Sequence, residues 1–307
     1  MTELRAHPII ATVEESRRQF LAIVEHIRPE LHRYCARMTG SAADGEDIVQ
    51  DTLARAYFQL PELTELPPLR PWLFRIAHNR AIDFHRSSTR RAVEEIDEVA
   101  QVAADVAHEP DAILMRQQAV RVAVATFLTI APVQRACVIL KDVLEHSLDE
   151  IADQLSLSVP AVKAALHRGR ERLRTVSDAA APETPVRPVS VTLRRYSNMF
   201  NAHDWDGLRA MLSDDVKLDL VSRRKAEGRR DVGIYFTNYG RTIDWSVAPA
   251  LIDGREGLVV YGQVSPTHPS YFVELEFSDD RVTVIRDFRY VPYIARESNF
   301  EVHLEQT

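Results

Sequence analysis

The sequence predicts a multidomain chain: two all-α segments followed by an α+β domain. Three observations carry this. From Ser147 to Arg174 the stretch SLDEIADQLSLSVPAVKAALHRGRERLR places apolar residues at helical spacing on both sides of a short polar turn. Upstream, apolar residues recur with the same period through two further stretches, the first ending near residue 91. Beyond an alanine- and proline-rich break, DAAAPETPVRPVS from Asp178 to Ser190, helical periods give way to runs of alternating apolar and polar residues.

Composition bounds the possibilities. A chain of 307 residues holds two or three domains. Hydrophobic residues at 45% and charged residues at 27% suit ordinary packed cores in water. No apolar run reaches membrane-spanning length, and MTELRAHPIIATVEESRRQF lacks the basic-then-apolar order of a signal peptide, so a cytoplasmic protein with no membrane partner is expected. Cys35 and Cys137 lie far apart in apolar helical contexts, which predicts buried thiols rather than a disulfide or a zinc site; no metal or cofactor is expected. The net charge of −7 does not exclude nucleic acid, because such contacts depend on local charge.

In chain order, Phe20, Ile23, Val24, Ile27, Leu31, Tyr34, Cys35 and Met38 form one helical face, with a kink or restart at Pro29. Thr39-Gly40-Ser41 ends it. DGEDIVQDTLARAYFQL follows, with Ile48, Val49, Leu53, Ala56, Tyr57 and Leu60 inward and Asp44, Glu46, Asp47 and Asp51 outward. Acids in a first turn suit the helix dipole; they also make an acidic docking face for a basic partner. After the proline-rich PELTELPPL comes RPWLFRIAHNRAIDFHRSSTRR, where Trp72, Leu73, Ile76, Ala77, Ala81 and Phe84 can pack and Arg70, Arg75, Asn79, Arg80, His85, Arg86, Arg90 and Arg91 remain outside. Six arginines against Asp83 alone, interleaved with aromatics, suit single-stranded or melted DNA; aromatics in an amphipathic helix more often serve the core. Residues 92–111 carry Glu94, Glu95, Asp97, Glu98, Asp105, Glu109 and Asp111 without a lysine or arginine and read as a flexible acidic linker.

Helix resumes over 112–145, with Ala119, Val122, Ala123 and Phe127 and then Val133, Ala136, Cys137, Ile139, Leu140, Val143 and Leu144 as apolar faces. Ser147 caps the next helix, with Glu150 as reciprocal partner. Leu148, Ile151, Ala152 and Leu155 line its inner face, Ser156-Leu157-Ser158 turns the chain, and Pro160 opens a second helix with Val162, Ala165, Leu166 and Gly169 inward. From Lys163 to Arg174 there are five basic residues against Glu171 alone. This is the pattern of a helix-turn-helix whose second helix enters the DNA major groove.

The acidic helix DGEDIVQDTLARAY, then LRPWLFRIAHNRAIDFHR, then an acidic linker and a helix-turn-helix resembles the extracytoplasmic-function class of bacterial RNA polymerase sigma factors, over about residues 15–176. The resemblance implies a region 2 helical bundle at 15–91, a linker at 92–111 lying in the RNA exit path, and a region 4 helix-turn-helix at 112–176. It further implies partners: polymerase core, through the β′ clamp and the β flap, and promoter DNA. Asp44, Glu46, Asp47, Gln50 and Asp51 match the family's β′-clamp surface. Arg70, Arg75, Asn79, Arg80 and Arg86 match the element that captures the melted −10 strand. Lys163, Ala164, His167 and Arg168, continued by Arg170 and Arg172, match the helix that reads the −35 element. The implied mechanism is binding and strand separation, with no covalent chemistry.

After a linker at 177–190, residues 191–307 suffice for a further domain. Helices are expected over Val191–Ala202, from Trp205 through Leu208, Met211 and Leu212, and over RRDVGIYFTNYGR; strands over VKLDLVS, Trp245–Ile252, Leu258–Val264, Tyr271–Phe277 and Val282–Tyr290, with turns at Asp253-Gly254 and Asp279-Asp280. This layout and FNAHDWDGLRAMLSDDVKLDL resemble the SnoaL-like branch of the NTF2-like fold, a cone of antiparallel sheet around a pocket. Many tailed relatives carry a DGGGK-type motif after the first strand; RRKAEGRRD stands here with Gly228 alone, so no mechanism resting on that motif carries over. Pocket candidates are Tyr196, Trp245, His268, Tyr271 and Asp287, with Asp219 and Tyr235 beside them. For each a plainer reading exists: Asp287 facing solvent from a strand, His268 in a loop between Pro266 and Pro269, the aromatics in the core.

Three functions follow. The first is a sigma factor regulated by its fused tail through an intramolecular contact with the sigma regions or a small ligand. The second is a one-component helix-turn-helix regulator with a ligand-sensing tail. The third is an enzyme with a DNA-targeting module. A simple repressor needs neither the Arg70–Arg91 helix nor the acidic 44–51 face, and the tail shows no strong catalytic constellation, so the first reading, a non-enzyme, is preferred.

Overall fold

The computed structural model describes residues 18–65, 67–95, 127–177, 188–241, 245–262 and 268–303, and the chain falls into two compact units. The expected linkers (apart from their ends), the helical stretch 112–126, and Gln263 and Val264 at the end of an expected strand lie outside these residues.

In the first unit, residues 18–24 are helical and the chain restarts as α1, Arg28–Thr39, with Pro29 in its first turn, where a missing N–H costs nothing. Gly40 closes α1 in the left-handed conformation, φ 84°, its N–H bonded to the Ala36 carbonyl. Ser41 caps α2, Ala42–Gln59, by accepting from the Asp44 N–H at 3.2 Å. The two helices cross so closely at Gly45 that a Cβ there would lie 2.6 Å from the Ala36 nitrogen. α3, Leu69–Glu95, continues past residue 91 into the first part of the expected linker.

α4, Pro132–Val138, runs into a single π turn, Ile139–Val143, and then α5, Leu148–Leu155, and α6, Val159–Ser177. The reciprocal cap forms as expected: the Ser147 hydroxyl accepts from the Glu150 N–H at 3.2 Å, and Glu150 accepts from the Ser147 N–H at 2.7 Å. Ser156 turns the chain at φ 55°, Leu157 packs against the core, and Val162, Ala165 and Leu166 are buried. Gly169 sits where a Cβ would lie 2.7 Å from Val138 Cγ2. One contiguous core joins Tyr34, Leu73 and Phe74 to Ile139, Leu140 and Ile151. Both cysteines are free and buried. Two expected core positions are not core: in helical residues 18–24 Phe20 and Val24 take the inner face and Ile23 is left outside it, and Val133 lies in the first turn of α4; both are exposed. Phe74 and Val138, not anticipated, are buried instead.

The second unit places α7, Val191–Asn201, α8, Trp205–Ala210, and α9, Arg229–Tyr239, with a seven-stranded sheet: β1 Leu212–Leu220, β2 Arg224–Glu227, β3 Trp245–Ile252, β4 Arg255–Gly262, β5 Tyr271–Ser278, β6 Arg281–Asp287 and β7 Phe300–Val302. The order is β2-β1-β6-β5-β4-β3-β7. This is the α+β layout that the SnoaL-like resemblance implies, with one correction: the sheet is mixed. β1 lies parallel to β6, because the chain leaves β1 through β2 and α9 and returns to its neighbouring position only with β6. Asp253-Gly254 and Asp279-Asp280 take the expected tight turns, all four residues at positive φ. Leu212 opens β1 rather than closing α8, and the short edge strands β2 and β7 were not anticipated.

Candidate nucleic-acid interface

On α2, Asp47 is exposed and Asp44, Gln50 and Asp51 are half-buried. Glu46 departs from the expected outer face. It shares a face with Ala42, Val49 and Leu53, is fully buried, and is ion-paired with Arg28. The helical period dictates this position, and the guanidinium makes the buried charge tolerable. Asp51 accepts from Arg80 of α3 and from Arg55 at 3.2 Å, while Arg80 also reaches Asp83 at 3.2 Å.

On α3, Arg75, Asn79 and Arg86 are exposed, whereas the aromatics Trp72 and Phe74 point into the core. Arg80 is held by its two carboxylates. The side chains of Arg90 and Arg91 lie outside the described set. His78 is buried, its Nδ1 2.8 Å from the Tyr34 hydroxyl, and burial takes its pKa down to about 4.

Arg70 is not free on the outside as expected. Its Nε donates to Glu30 Oε2 at 3.0 Å and a second nitrogen also engages Glu30. The same guanidinium approaches His146 Nε2 at 2.9 Å and Glu150 at 3.5 Å. His146, buried before α5, has Nε2 2.7 Å from Glu30 and Nδ1 3.0 Å from Gln154 Oε1. Burial raises the Glu30 pKa, but hydrogen bonds from His146 and Arg70, with their charges, outweigh it and bring the carboxyl down to about 2.

On α6, Lys163, Ala164, His167, Arg168, Arg170 and Arg172 are all exposed. Lys163, His167, Arg170 and Arg174 line an open groove of about 510 Å³ together with Lys141 and Leu148. Asp142 of the π turn holds Arg170 through two bonds of 2.9 and 2.5 Å. That fork is spent on Asp142, so it is the other basic side chains along the groove, Lys163, His167 and Arg174, that suit it to phosphates or base edges.

In the tail, Asp287 does not face solvent. β6 places it in phase with buried Ile285, and it is fully buried. Its Oδ2 accepts from the Tyr235 and Tyr239 hydroxyls at 3.0 and 2.7 Å, and Oδ1 from the Arg289 N–H at 2.9 Å. Burial pushes its pKa up, against these bonds and the Arg289 charge. The Tyr271 hydroxyl lies 3.0 Å from that of Tyr239, and burial pushes the Tyr271 phenol up to about 12. Arg289 stacks on both rings, 4.7 Å from the centroid of Tyr239 and 5.7 Å from that of Tyr271. Trp245 packs edge-on to Tyr239 at 5.3 Å, and Tyr196 is buried within range of the Asp287 charge. Four of the five pocket candidates therefore converge; His268 is exposed and stands apart, and Asp219 is engaged by Lys225 at 3.5 Å. Tyr239 and Arg289 were not anticipated, although the spacing of Tyr235 and Tyr239 on one helix face was a readable sign.

Comparison with known proteins matches residues 23–91 to Sigma-70 region 2 and residues 127–173 to Sigma-70, region 4. The ECF RNA polymerase sigma factor SigG of Mycobacterium tuberculosis is 35% identical over 222 residues, covering 64% of this chain and 59% of SigG, so the match spans less than two thirds of that relative. SigL of the same species is 34% identical over 148 residues, covering 47% of this chain and 80% of SigL. SigW of Bacillus subtilis is 29% identical, covering 50% and 87%. Among solved structures, the M. tuberculosis extracytoplasmic function sigma factor SigJ aligns over 87% of this chain and 95% of its own with TM-score 0.33 and 19% identity. A putative ketosteroid isomerase from Kribbella flavida aligns over 38% of this chain and 79% of its own with TM-score 0.25 and 17% identity. With both sigma regions matched in order, and SigL matched over most of its length, the chain belongs to the extracytoplasmic-function family of RNA polymerase sigma factors.

Proposed function

We propose that this chain directs RNA polymerase core to promoters and starts transcription there, acting in the cytoplasm without catalytic chemistry of its own. The observation that carries the reading is the capped helix-turn-helix presenting five exposed basic residues within an acidic chain whose family is that of sigma factors. In this reading Asp44, Asp47, Gln50 and Asp51 dock the β′ clamp, Arg75, Asn79, Arg80 and Arg86, with Arg70 once released, hold the −10 strand, and Lys163, Ala164, His167, Arg168, Arg170 and Arg172 read the −35 element. Glu46 serves that face from beneath, by fixing Arg28. Extruding a base costs a few kcal/mol, which contacts to the strand must offset, and each good bidentate groove contact contributes about 1–3 kcal/mol.

The tail regulates promoter-dependent output. Tyr196, Trp245, Tyr271 and Asp287 form the inner surface on which a small polar ligand would act, and the tail is not an enzyme. Core polymerase should be retained by the tagged chain, and retention should fall when Asp47 and Asp51 are both reversed to lysine. Deleting 179–307 should change initiation at the chain's own promoter. Undiminished core retention by the double variant would remove the docking assignment, and unchanged initiation across several conditions would remove the regulatory one.

A further inference from the structure

Two turns of the tail are laced together where β6 ends. After buried Asp287 the chain turns through Arg289 and Tyr290, pinned by buried Phe288 and Val291 and by the Val291 N–H, which donates to the Phe288 carbonyl at 3.0 Å. β1 leads into the other turn, residues 221–223. There the Val221 N–H donates to the Asp287 carbonyl at 3.0 Å and the Arg223 N–H to the Leu220 carbonyl at 2.7 Å. The lacing brings two arginines to one ring. The guanidinium carbons of Arg223 and Arg289 lie 5.5 and 5.9 Å from the centroid of Tyr290, which is 47% exposed. Arg289 also lies over Tyr239 and Tyr271, at 4.7 and 5.7 Å.

Aromatic rings hold a guanidinium by its flat side and leave its N–H donors unspent. Among the described residues, neither the Arg223 nor the Arg289 side chain has a hydrogen-bond acceptor or an ion-pair partner; Asp287 accepts from the Arg289 backbone N–H instead. Half-buried Arg209 and Arg286 differ, each reaching a carboxylate, Asp206 at 2.7 Å and Glu274 at 3.2 Å. A half-buried guanidinium without an acceptor has lost water and gained no hydrogen bond in return, which an incoming anion would supply. We propose that Arg223 and Arg289, converging on Tyr290, form a binding site for one small oxyanion, a phosphate monoester or a carboxylate. The guanidinium fork matches the paired oxygens of either group. Convergence on a single ring suits one anionic group, whereas a nucleic-acid backbone is met by cations spread along its length; the next lysine, Lys225, is already engaged by Asp219 at 3.5 Å. The Tyr239 ring beneath Arg289 belongs to the hub, since its hydroxyl donates to Asp287 at 2.7 Å, so an anion drawn to Arg289 acts on the tail's interior. The proposal gives the ligand-sensing reading of the tail its chemistry and rests on that reading only for its effect on transcription.

The test titrates the full chain with inorganic phosphate, phenyl phosphate and benzoate by isothermal calorimetry, at ionic strength matched with sodium chloride. The parent should show saturable, single-site binding of at least one of them, and the stronger probe tells a phosphate ester from a carboxylate. Arg223→Met and Arg289→Met should each weaken that binding by about ten-fold or more, the consequence of losing hydrogen bonds between charged groups. Arg289→Lys, which keeps the charge and loses the fork, should fall between parent and Met variant. Far-UV circular dichroism checks that each variant is folded, and Arg223, exposed on its turn, keeps the test independent of the hub should Arg289→Met unfold the tail. No saturable binding of any of the three probes, or binding that Arg223→Met and a folded Arg289 variant both retain in full, would overturn the site. So would binding of a duplex without promoter elements that both arginines support while the three small anions fail to bind, which would make this surface a nucleic-acid contact. In run-off transcription the bound probe should change the yield with the parent and leave it unchanged with Arg223→Met. Arginine-dependent binding with no such change would uphold the site and count against regulation by the tail, and absence of any transcript would count against the sigma reading instead.

Discussion

Asp287→Ala offers the sharpest test of the tail's interior. The carboxylate accepts three hydrogen bonds, from Tyr235 at 3.0 Å, Tyr239 at 2.7 Å and the Arg289 N–H at 2.9 Å. Removing it leaves Tyr235 and Tyr239 with each other and with the Tyr271 hydroxyl, 3.0 Å from Tyr239, but takes from all three groups, the two phenols and the Arg289 N–H, their shared charged acceptor. Losing hydrogen bonds to a charged acceptor costs about 1.5–3 kcal/mol each, partly offset because the phenols keep one another and a desolvated carboxylate is no longer present, so a net loss of about 2 kcal/mol is expected. Urea unfolding followed by fluorescence in a Trp72→Phe background reads this, since two of the three tryptophans, Trp205 and Trp245, pack in the tail. Asp287→Asn separates charge from shape. The folded pKa of Asp287 is raised above its ordinary 3.8, so the folded tail binds the proton more tightly than the unfolded chain does. Its contribution is complete below pH 3.8 and is lost as the pH rises through the folded pKa. The parent should therefore lose stability over that interval, relative to a flatter Asn variant. An Ala variant within about 0.5 kcal/mol of the parent, the ordinary scatter for surface changes, would refute the buried-hub account.

Further outcomes follow from the first unit. Glu30, with its pKa depressed from 4.5 to about 2, contributes stability that is complete above pH 4.5 and is lost as the pH falls towards 2; Glu30→Gln should flatten unfolding midpoints across that window. Ser147→Ala should cost about 1 kcal/mol by removing the α5 cap, read as weaker −35 binding by the reconstituted holoenzyme at elevated temperature. Gly45→Ala should destabilise region 2 by about 1–3 kcal/mol in thermal melts, because its Cβ meets backbone that cannot rotate away. Arg168→Ala should weaken holoenzyme binding to −35 duplex and lower the salt slope by about 1 if its contact is to phosphate; an unchanged slope together with altered base preference would move it to base readout.

The helix-turn-helix was legible almost atom by atom because its signals are local. The Ser147–Glu150 cap, the turn at Ser156-Leu157-Ser158 and the apolar period of α6 each involve residues within a few positions of one another. The positions that escaped depend on distant partners. Glu46 reads as an outward acid until Arg28 is placed beside it, and Arg70 reads as a free cation until Glu30 of α1 and His146 and Glu150 at the start of α5 are placed around it. In the tail, alternation located the central strands but could not show that β1 and β6 run parallel, and β2, with mostly exposed residues, has no apolar face to read. Asp287 is the instructive case. Alternation with Phe288 reads as facing solvent, yet both residues are buried, and the hydroxyls of Tyr235 and Tyr239, from another element, are what make the buried carboxyl tolerable.

The central claim is tested most directly by run-off transcription with purified core polymerase, this full chain and a template carrying the promoter of its own operon. The account predicts a transcript of defined start that depends on both the chain and the promoter, with the 1–178 fragment giving a different yield from the same start. No transcript from either protein, together with no retention of core polymerase, would contradict it.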